Sequence, residues 1–487
     1  MGGSTLKEKT SKGLFWGGMS SGIQQLLSVI FGIFLARTLS PDDYGLVGML
    51  AVFSVLAQNL QDGGFVSALI NRPVYKHEDY NAVFWLSVTI SVVCYIILFL
   101  AAPLISRFFH QPVLTKLARW TFLCFLFSGI GTAPRAFLSK HLKIKQMAIS
   151  GIVAVLFSGL IGVYLAVRGH AYWALVVQSL VMVGLTNLGY CFFSDWKPSL
   201  KLSFQPIKEM YRYAMPLLFT GLFSMANSYL MTLILGRRYS AGQTGYYTQA
   251  NKWATMGSSV LNGMVGSVAQ PVLAEVVEEK ERHLRVFRKL IRFTAFVSFP
   301  ALLGLGLIAP EFIVLALSPK WMDSVVMLQI LCVSGSFVPL ITICAQQVLS
   351  KGKSHVFMWV HMALFIAVSG TAFLLYPLGI LAMLTGVSAV NVLWLFVWVF
   401  FVRRETGYTY GGLFSDLLPY LGISAAVMVV TFFITKGIPG MVVRLVAKIL
   451  VAAALYLSIL WVTKSVALRE SIHFIFKKNN PDQALSE

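Results

Sequence analysis

Three charged side chains lie deep inside long apolar segments of this sequence. They are Asp62, Arg135 and Lys252. An ionised side chain at the centre of a bilayer costs about 2.5–3.5 kcal/mol on insertion scales. A charge kept at that cost indicates a binding site for an ion or a charged ligand, although pairing between helices explains it equally well. We therefore treat these three as candidates for a buried binding site.

Uncharged polar groups accompany these charges and would offer hydrogen bonds to a polar ligand. Gln58 lies four residues before Asp62, so the two share one face of a helix. For a lone Gln or Asn, the simpler interpretation is a hydrogen bond between helices. Arg37 and Arg237 end apolar segments, where long cationic side chains extend to the interface. The remaining polar candidates are Gln24, Asn251 and Tyr246.

Catalytic motifs are missing from the sequence. It contains neither a G-x-x-x-x-G-K-[ST] phosphate loop nor an H-E-x-x-H zinc motif nor a nucleophile elbow. The five cysteines fall inside apolar segments without a C-x-x-C pair, so no metal site or disulfide framework is indicated. We infer that the chain is not an enzyme, has no cofactor and moves its substrate without ATP.

Composition indicates a polytopic, all-α membrane protein. The 487 residues are 57% hydrophobic and 12% charged, whereas a soluble domain has about 25% charged residues. The net charge of +20 is distributed in short clusters between apolar segments, which is typical of loops that orient helices and does not indicate nucleic acid.

The apolar segments predict about fourteen transmembrane helices. Residues 1–194 hold six and residues 211–404 hold six more, separated by a cytoplasmic linker at 195–210. Residues 405–465 hold the last two, and 466–487 form a cytoplasmic tail. The predicted spans are 12–37, 45–70, 81–106, 114–139, 147–168, 172–194, 211–236, 246–275, 288–313, 323–350, 354–376, 378–403, 415–436 and 440–463.

The distribution of basic residues predicts the orientation. With a cytoplasmic N-terminus, the cytoplasmic side carries more than twice as many of the 39 Lys and Arg residues as the other side. The positive-inside rule therefore places both termini in the cytoplasm. The richest connection, residues 275–292, is expected to be cytoplasmic and to include an amphipathic helix on the inner leaflet, with Leu284, Phe287 and Ile291 on its apolar face.

An internal duplication organises the chain. Leu35, Arg37, Ser40 and Gly45 recur as Leu235, Arg237, Ser240 and Gly245, and two later echoes follow in the same order. Six helices per copy make the copies parallel repeats, related by a pseudo-two-fold axis along the membrane normal, with a substrate cavity between the two lobes. The last two helices have no counterpart and are expected to pack outside this core.

Several short motifs resemble polysaccharide exporters of the Wzx type, in the colanic and teichuronic acid branch. The resemblance covers residues 6 to 465 and implies the multidrug/oligosaccharidyl-lipid/polysaccharide (MOP) exporter superfamily. It implies two six-helix lobes and an undecaprenyl-pyrophosphate-linked oligosaccharide as substrate. The motifs are Leu6-Lys7-Glu8-Lys9-Thr10, Leu35-Ala36-Arg37, Tyr44-Gly45-Leu46, Asp62-Gly63-Gly64-Phe65, Gly245-Tyr246-Tyr247, Lys320-Trp321 and Leu328-Gln329.

The resemblance also ranks the candidate residues. Ala250-Asn251-Lys252 looks like the Ala-Asp-Arg of the more distant lipid II flippases, which makes Lys252 the first candidate for the pyrophosphate and Arg135 the second. Ala57 and Gln58 stand where those flippases have arginines, which argues against lipid II as substrate. Asp62 either pairs with a cation or carries a coupling proton or sodium ion, and both alternatives are open.

Two other classes of function remain as alternatives. A drug or metabolite antiporter of the same superfamily would need a compact acidic cluster in one lobe, and Asp62 is the one deep carboxylate that stands out. A membrane-embedded glycosyltransferase would need a paired-carboxylate or metal-binding loop. The expected partners are the lipid-linked oligosaccharide, membrane lipids and a polysaccharide polymerase, and the protein is expected to be a monomer.

Overall fold

The computed structural model describes residues 6–62, 64–66, 69, 76–200, 205–276, 279–351, 353–463 and 465. Within them the chain forms helices and no β-strand, so the all-α fold class is confirmed. The chain divides into two compact units, Met1–Thr248 and Gln249–Glu487. The predicted cytoplasmic tail, 466–487, lies outside the described residues.

The first unit is built from helices that follow the predicted apolar segments. They are α1 (Leu6–Thr38), α2 (Pro41–Asp62), α3 (His77–Phe109), α4 (Leu114–Thr121), α5 (Cys124–Lys140), α6 (Ile144–Val167), α7 (Tyr172–Phe193), α8 (Gln205–Arg238) and the start of α9 (Ala241–Glu275). Helix α6 packs against α1 and α7, and α3 packs against α5.

The second unit continues α9 and ends with the two helices that have no counterpart in the repeat. Its helices are α10 (Lys280–Phe312), α11 (Ser324–Gly335), α12 (Val338–Ser350), α13 (Ser354–Leu375), α14 (Ile380–Thr406), α15 (Tyr410–Thr435) and α16 (Met441–Val462). A π-helical turn, Ile313–Leu317, and a 3-10 turn, Pro319–Trp321, follow α10. Helices α15 and α16 pack on each other and on α10.

The predicted spans coincide with helices over most of the residues that the structure describes, and twelve spans among these residues are long and apolar enough to cross a membrane. The chain is therefore a multi-pass membrane protein. Helices α8 and α9 are outside those twelve, so the count of fourteen stays a prediction.

The fourth span of each repeat is broken, which the apolar pattern did not predict. Residues 114–139 form α4 and α5, separated at Phe122 and Leu123, and residues 323–350 form α11 and α12, separated at Ser336 and Phe337. The first break is apolar, and the Ser334-Gly335-Ser336 stretch of the second is short within a span that is apolar on average, so hydropathy did not reveal either break. The breaks occupy similar places in the two copies, which supports the duplication.

The repeated turn precedes two helices in the same register. Helix α2 begins at Pro41 and α9 at Ala241, so Gly45 and Gly245 are each the fifth residue of their helix. Ser40 caps α2 by accepting from the Asp43 N–H at 3.3 Å, and Ser240 accepts from the Gln243 N–H at 3.1 Å. The two turns thus begin their helices by the same device.

The two glycines permit close backbone contact between these helix starts. A Cβ atom on Gly45 would lie 1.8 Å from the carbonyl oxygen of Ala241. Reciprocally, a Cβ atom on Gly245 would lie 1.9 Å from the carbonyl oxygen of Pro41. Glycine is needed at both positions because the backbones approach closer than any side chain allows.

The predicted amphipathic surface helix is instead the first part of a span. Helix α10 runs without a break from Lys280 to Phe312. Phe287 and Ile291 are fully buried in a core cluster, and Leu284 packs against it. The helical spacing was right, but these apolar side chains face other helices of the protein, so the expectation of a separate inner-leaflet helix was wrong.

Candidate substrate site

Helix α9 carries the first-ranked candidate. Lys252 is partly buried, and its Nζ lies 5.8 Å from the centroid of the Trp253 ring. Asn251 beside it is also partly buried, as is Tyr246 earlier on the helix. Because a residue advances about 100° around an α-helix, Tyr246 and Lys252 lie on different faces, so α9 presents polar groups on more than one side.

Two further polar residues of α9 were missed by the sequence analysis. Gln249 is 1% exposed, yet neither its Oε1 nor its Nε2 has a hydrogen-bond partner among the described residues. Trp253 lies four residues later, and its buried Nε1 also lacks such a partner. Buried polar groups are nearly always satisfied, so unsatisfied ones mark sites that take up a ligand or water. The sequence could have indicated these two residues, because they are polar, four positions apart and therefore on one face of a helix.

Gln24 and Gln58 have different environments. The Gln24 Nε2 donates to Ser20 Oγ at 2.7 Å, and its amide packs against Gly151 on α6. This hydrogen bond lies within α1 and does not join two helices, so the role of Gln24 in substrate binding stays a prediction. Gln58 is exposed on α2. Asp62 is the last residue of α2, and its side chain lies outside the described residues.

The three candidate arginines lie at separate places. Arg237 lies in the last turn of α8, where its Nη1 donates to the Phe108 carbonyl at 2.6 Å and lies 2.7 Å from His110 Nδ1. Arg37 is exposed at the end of α1, as expected for a side chain that extends to the interface. Arg135 is exposed on α5, next to the buried Pro134. Within the first unit, these three arginines therefore lie on three different helices, α8, α1 and α5.

A buried carboxylate that the sequence analysis missed lies on α15. Asp416 is fully buried and accepts from Arg288 Nε and Nη2 at 2.9 Å each, from Arg292 Nε at 2.6 Å and from the Tyr408 hydroxyl at 3.1 Å. The burial of Tyr408 and the adjacent carboxylate charge raise the pKa of the Tyr408 hydroxyl. This group of charges fastens α15 to the first part of α10.

A second missed carboxylate forms a buried ion pair near the other end of α10. Lys448 of α16 donates to Glu311 at 2.7 Å and 2.8 Å and to the Leu307 carbonyl at 3.0 Å. Glu311 is 4% exposed and Lys448 3%. The sequence could have indicated this pair, because both residues are charged and lie within predicted spans. Asp62 is thus not the one deep carboxylate, but Glu311 and Asp416 are each neutralised by cations and form no compact acidic cluster.

Comparison with protein families places most of these helices in one family. The model of the family described as "Polysaccharide biosynthesis protein" matches residues 34–326. The chain is 28% identical to the lipopolysaccharide biosynthesis protein WzxC of Escherichia coli (strain K12) over 338 residues, 68% of each chain. It is 24% identical to the teichuronic acid biosynthesis protein TuaB of Bacillus subtilis (strain 168) over 396 residues, 80% of each chain.

Among solved structures, the chain is similar to the lipid II flippase MurJ in an inward closed conformation. The TM-score is 0.79 over 94% of this chain and 99% of that chain, at 13% sequence identity. At this identity the likeness concerns the fold, which consists of two lobes of helices. The two-lobe, helical fold expected from the resemblance is therefore confirmed.

Proposed function

The chain belongs to the polysaccharide biosynthesis protein family, and we propose that it is a flippase for a lipid-linked oligosaccharide that becomes a surface polysaccharide. The observation that carries this proposal is α9, a long helix of a membrane fold on which a partly buried cation adjoins unsatisfied polar groups. The names of WzxC and TuaB support a surface polysaccharide as the end product.

The expected substrate carries an undecaprenyl diphosphate whose negative charge must cross an apolar region. A cation on the path lowers that barrier by charge-assisted hydrogen bonds. In this proposal Lys252 binds the diphosphate as a point charge, whereas an arginine would bind it through two hydrogen bonds. Gln58, Asn251 and Tyr246 donate to sugar or phosphate oxygens, and Arg135 is the second cation.

Movement proceeds by alternating access between the two faces of the inner membrane. The sequence lacks a nucleotide-binding loop, so we propose that a proton or sodium gradient supplies the energy. Both termini are cytoplasmic in this proposal, because the basic residues are then concentrated on the cytoplasmic side. The polymerase partner and the monomeric state also stay predictions.

Two other transport functions fit the same fold. A lipid II flippase is favoured by the likeness to MurJ, and Ala57 and Gln58, in place of the arginines expected there, argue against it. A drug antiporter would need a compact acidic cluster, whereas Glu311 lies near the end of α10 and Asp416 pairs with arginines near its start. The oligosaccharide flippase therefore remains the best-supported function.

Replacing Lys252 tests the proposal. We expect Lys252→Ala to abolish surface polysaccharide in a cell that depends on this protein, while the protein still inserts at normal abundance. Lys252→Arg should keep part of the activity, because it preserves the charge but changes the geometry. Lipid-linked oligosaccharide should accumulate on the inner leaflet in the alanine variant.

The matched control is Lys436→Ala. Lys436 is exposed after the end of α15, so its removal tests whether the loss of any lysine impairs export. Normal export by Lys252→Ala at normal abundance would contradict the role of Lys252. Loss of export without accumulation of the lipid-linked sugar would contradict the flippase function itself.

A further inference from the structure

The ion pair between Glu311 and Lys448 lies where the helical geometry is irregular. Glu311 is the penultimate residue of α10, and the π-helical turn Ile313–Leu317 follows directly. The next residue, Ser318, has a φ of 117°, in a region that residues other than glycine rarely adopt. π-Helical turns and such backbone outliers concentrate at functional sites because they cost stability.

Unsatisfied polar atoms occur just after this irregular segment and on a residue that contacts Phe312. The buried Ser318 Oγ and Ser324 Oγ have no hydrogen-bond partner among the described residues. The same holds for Trp253 Nε1, on a ring that packs edge-on against Phe312 with centroids 4.9 Å apart. A purely structural ion pair explains none of these groups. The two serine oxygens can accept a hydrogen bond from water or ligate a small cation, whereas the Trp253 N–H can only donate to a water molecule.

Lys448 also has somewhere to move. It lines a cavity of about 650 Å³ with Gly257, Pro300 and Tyr456, and the other lining residues are apolar or small. A lysine has a flexible stem and a compact charged end, so its ammonium group can leave the carboxylate and turn into this space. Glu311 would then be free to accept another cation.

Resting on the proposed flippase function, we propose that Glu311 and Lys448 form the binding site for the monovalent cation that drives transport. The cation binds the Glu311 carboxylate and displaces the Lys448 ammonium group. With a proton, an O–H bond forms on Glu311 and the carboxyl becomes neutral. With sodium, the ion takes the place of the ammonium group against the carboxylate. In both cases Lys448 keeps its proton and one positive charge enters the site.

Few other charges face this pair. Arg444 lies one turn before Lys448 and donates to the Ile438 carbonyl, and Lys252 lies near the Trp253 ring. On α15, the residue that faces Lys448 is Phe432, whose ring centroid lies 5.9 Å from the Lys448 Nζ. On α11, Gln329 donates to the Gly306 carbonyl of α10. In these described contacts, neither helix places a titratable group beside the ion pair. The exposed Lys320 and Asp323 follow the π-helical turn. Glu311 is thus the one carboxylate among the groups just named that lies within the buried site.

Charge-displacement currents test this site without a lipid-linked sugar. The purified full-length protein is placed in vesicles of phosphatidylethanolamine and phosphatidylglycerol on a solid-supported membrane. One arm applies a step to lower pH at constant sodium, and the other replaces potassium with sodium at constant pH. We expect the wild-type protein to give a transient current in one of the two arms, and that arm identifies the cation. In the double variant Glu311→Gln/Lys448→Met, the current should be no larger than that of protein-free vesicles.

Three further variants separate cation binding from helix packing. Leu460→Ala removes a buried apolar side chain of α16 that lies in the core cluster shared with α10, and so loosens the same helix packing without changing charge. It should keep the wild-type current. Lys448→Arg should require a higher cation concentration for the same current, because an arginine holds the carboxylate through two hydrogen bonds. Glu311→Asp, which keeps a carboxylate, should retain a current.

The proposal is overturned by any of three results. They are a wild-type current in the folded double variant, no wild-type current with either cation, and an unchanged cation dependence in Lys448→Arg. A current that Asp62→Asn abolishes while the double variant keeps it would move the site to α2. None of these results depends on the polysaccharide phenotype of Lys252→Ala, so the site and the flippase function fail separately.

Discussion

Replacing Gly45 with alanine should separate the starts of α2 and α9. The new Cβ atom would lie 1.8 Å from the Ala241 carbonyl oxygen, whereas a carbon and a carbonyl oxygen in contact are about 3.3–3.6 Å apart. The helix starts must therefore move apart by about 1.5 Å. Overpacking typically costs about 1–3 kcal/mol. We expect about 3 kcal/mol here, because the opposing atom belongs to the backbone and cannot rotate away.

A cross-link between the two turns measures this displacement. In a background without native cysteines, Asp42→Cys and Gly242→Cys form the reporter pair, because a Cβ atom on Gly242 would lie 3.7 Å from Asp42 Cγ. Since about 1.4 kcal/mol is a factor of ten, a cost of about 3 kcal/mol predicts a roughly hundredfold lower population of the closed contact. We expect a correspondingly slower disulfide formation when Gly45→Ala is added.

The reciprocal contact provides a second measurement and a control. Gly245→Ala should act like Gly45→Ala, because its Cβ atom would meet the Pro41 carbonyl oxygen at 1.9 Å. Gly22→Ala on α1 is the control, since a Cβ atom there meets nothing within 4 Å. Cross-linking of Gly45→Ala at the rate of Gly22→Ala, with an unchanged melting temperature, would refute the close backbone contact.

Three other predictions concern charge. Asp416→Asn should lower the free energy of unfolding by about 3 kcal/mol. This is the low end of the cost of breaking a buried ion pair, because both arginines are about a third exposed. An unchanged melting temperature in detergent would contradict this. Lys280→Cys should resist an impermeant reagent added outside intact cells, whereas Lys320→Cys should react; ready labelling at 280 would reverse the topology. The hydrogen bond from Lys143 lowers the pKa of Asp195, so the contribution of this pair should be constant from neutral pH down to the ordinary carboxyl pKa and disappear as the pH falls through the lowered value. The difference in melting temperature between wild type and Asp195→Asn measures it, and a difference that grows in acid would contradict the assignment.

The sequence alone revealed the class of protein, the approximate helices and the duplication. These follow from local properties, because a segment of about 20 apolar residues can only be helical in a bilayer and a repeated turn begins both copies in the same way. Ser40 and Ser240 are a clear example, since each caps its helix through a contact three residues away. The family resemblance also came from short local motifs.

The tertiary structure decided which polar side chains are committed to packing and which are not. Gln249 resembles the other polar residues of the apolar segments in the sequence, yet in the structure its amide is buried without a hydrogen-bond partner among the described residues. Glu311 and Lys448 are 137 residues apart, and nothing local reports that their charges meet. A buried charge is tolerated only when a partner from a distant helix satisfies it, and that pairing depends on how the helices pack.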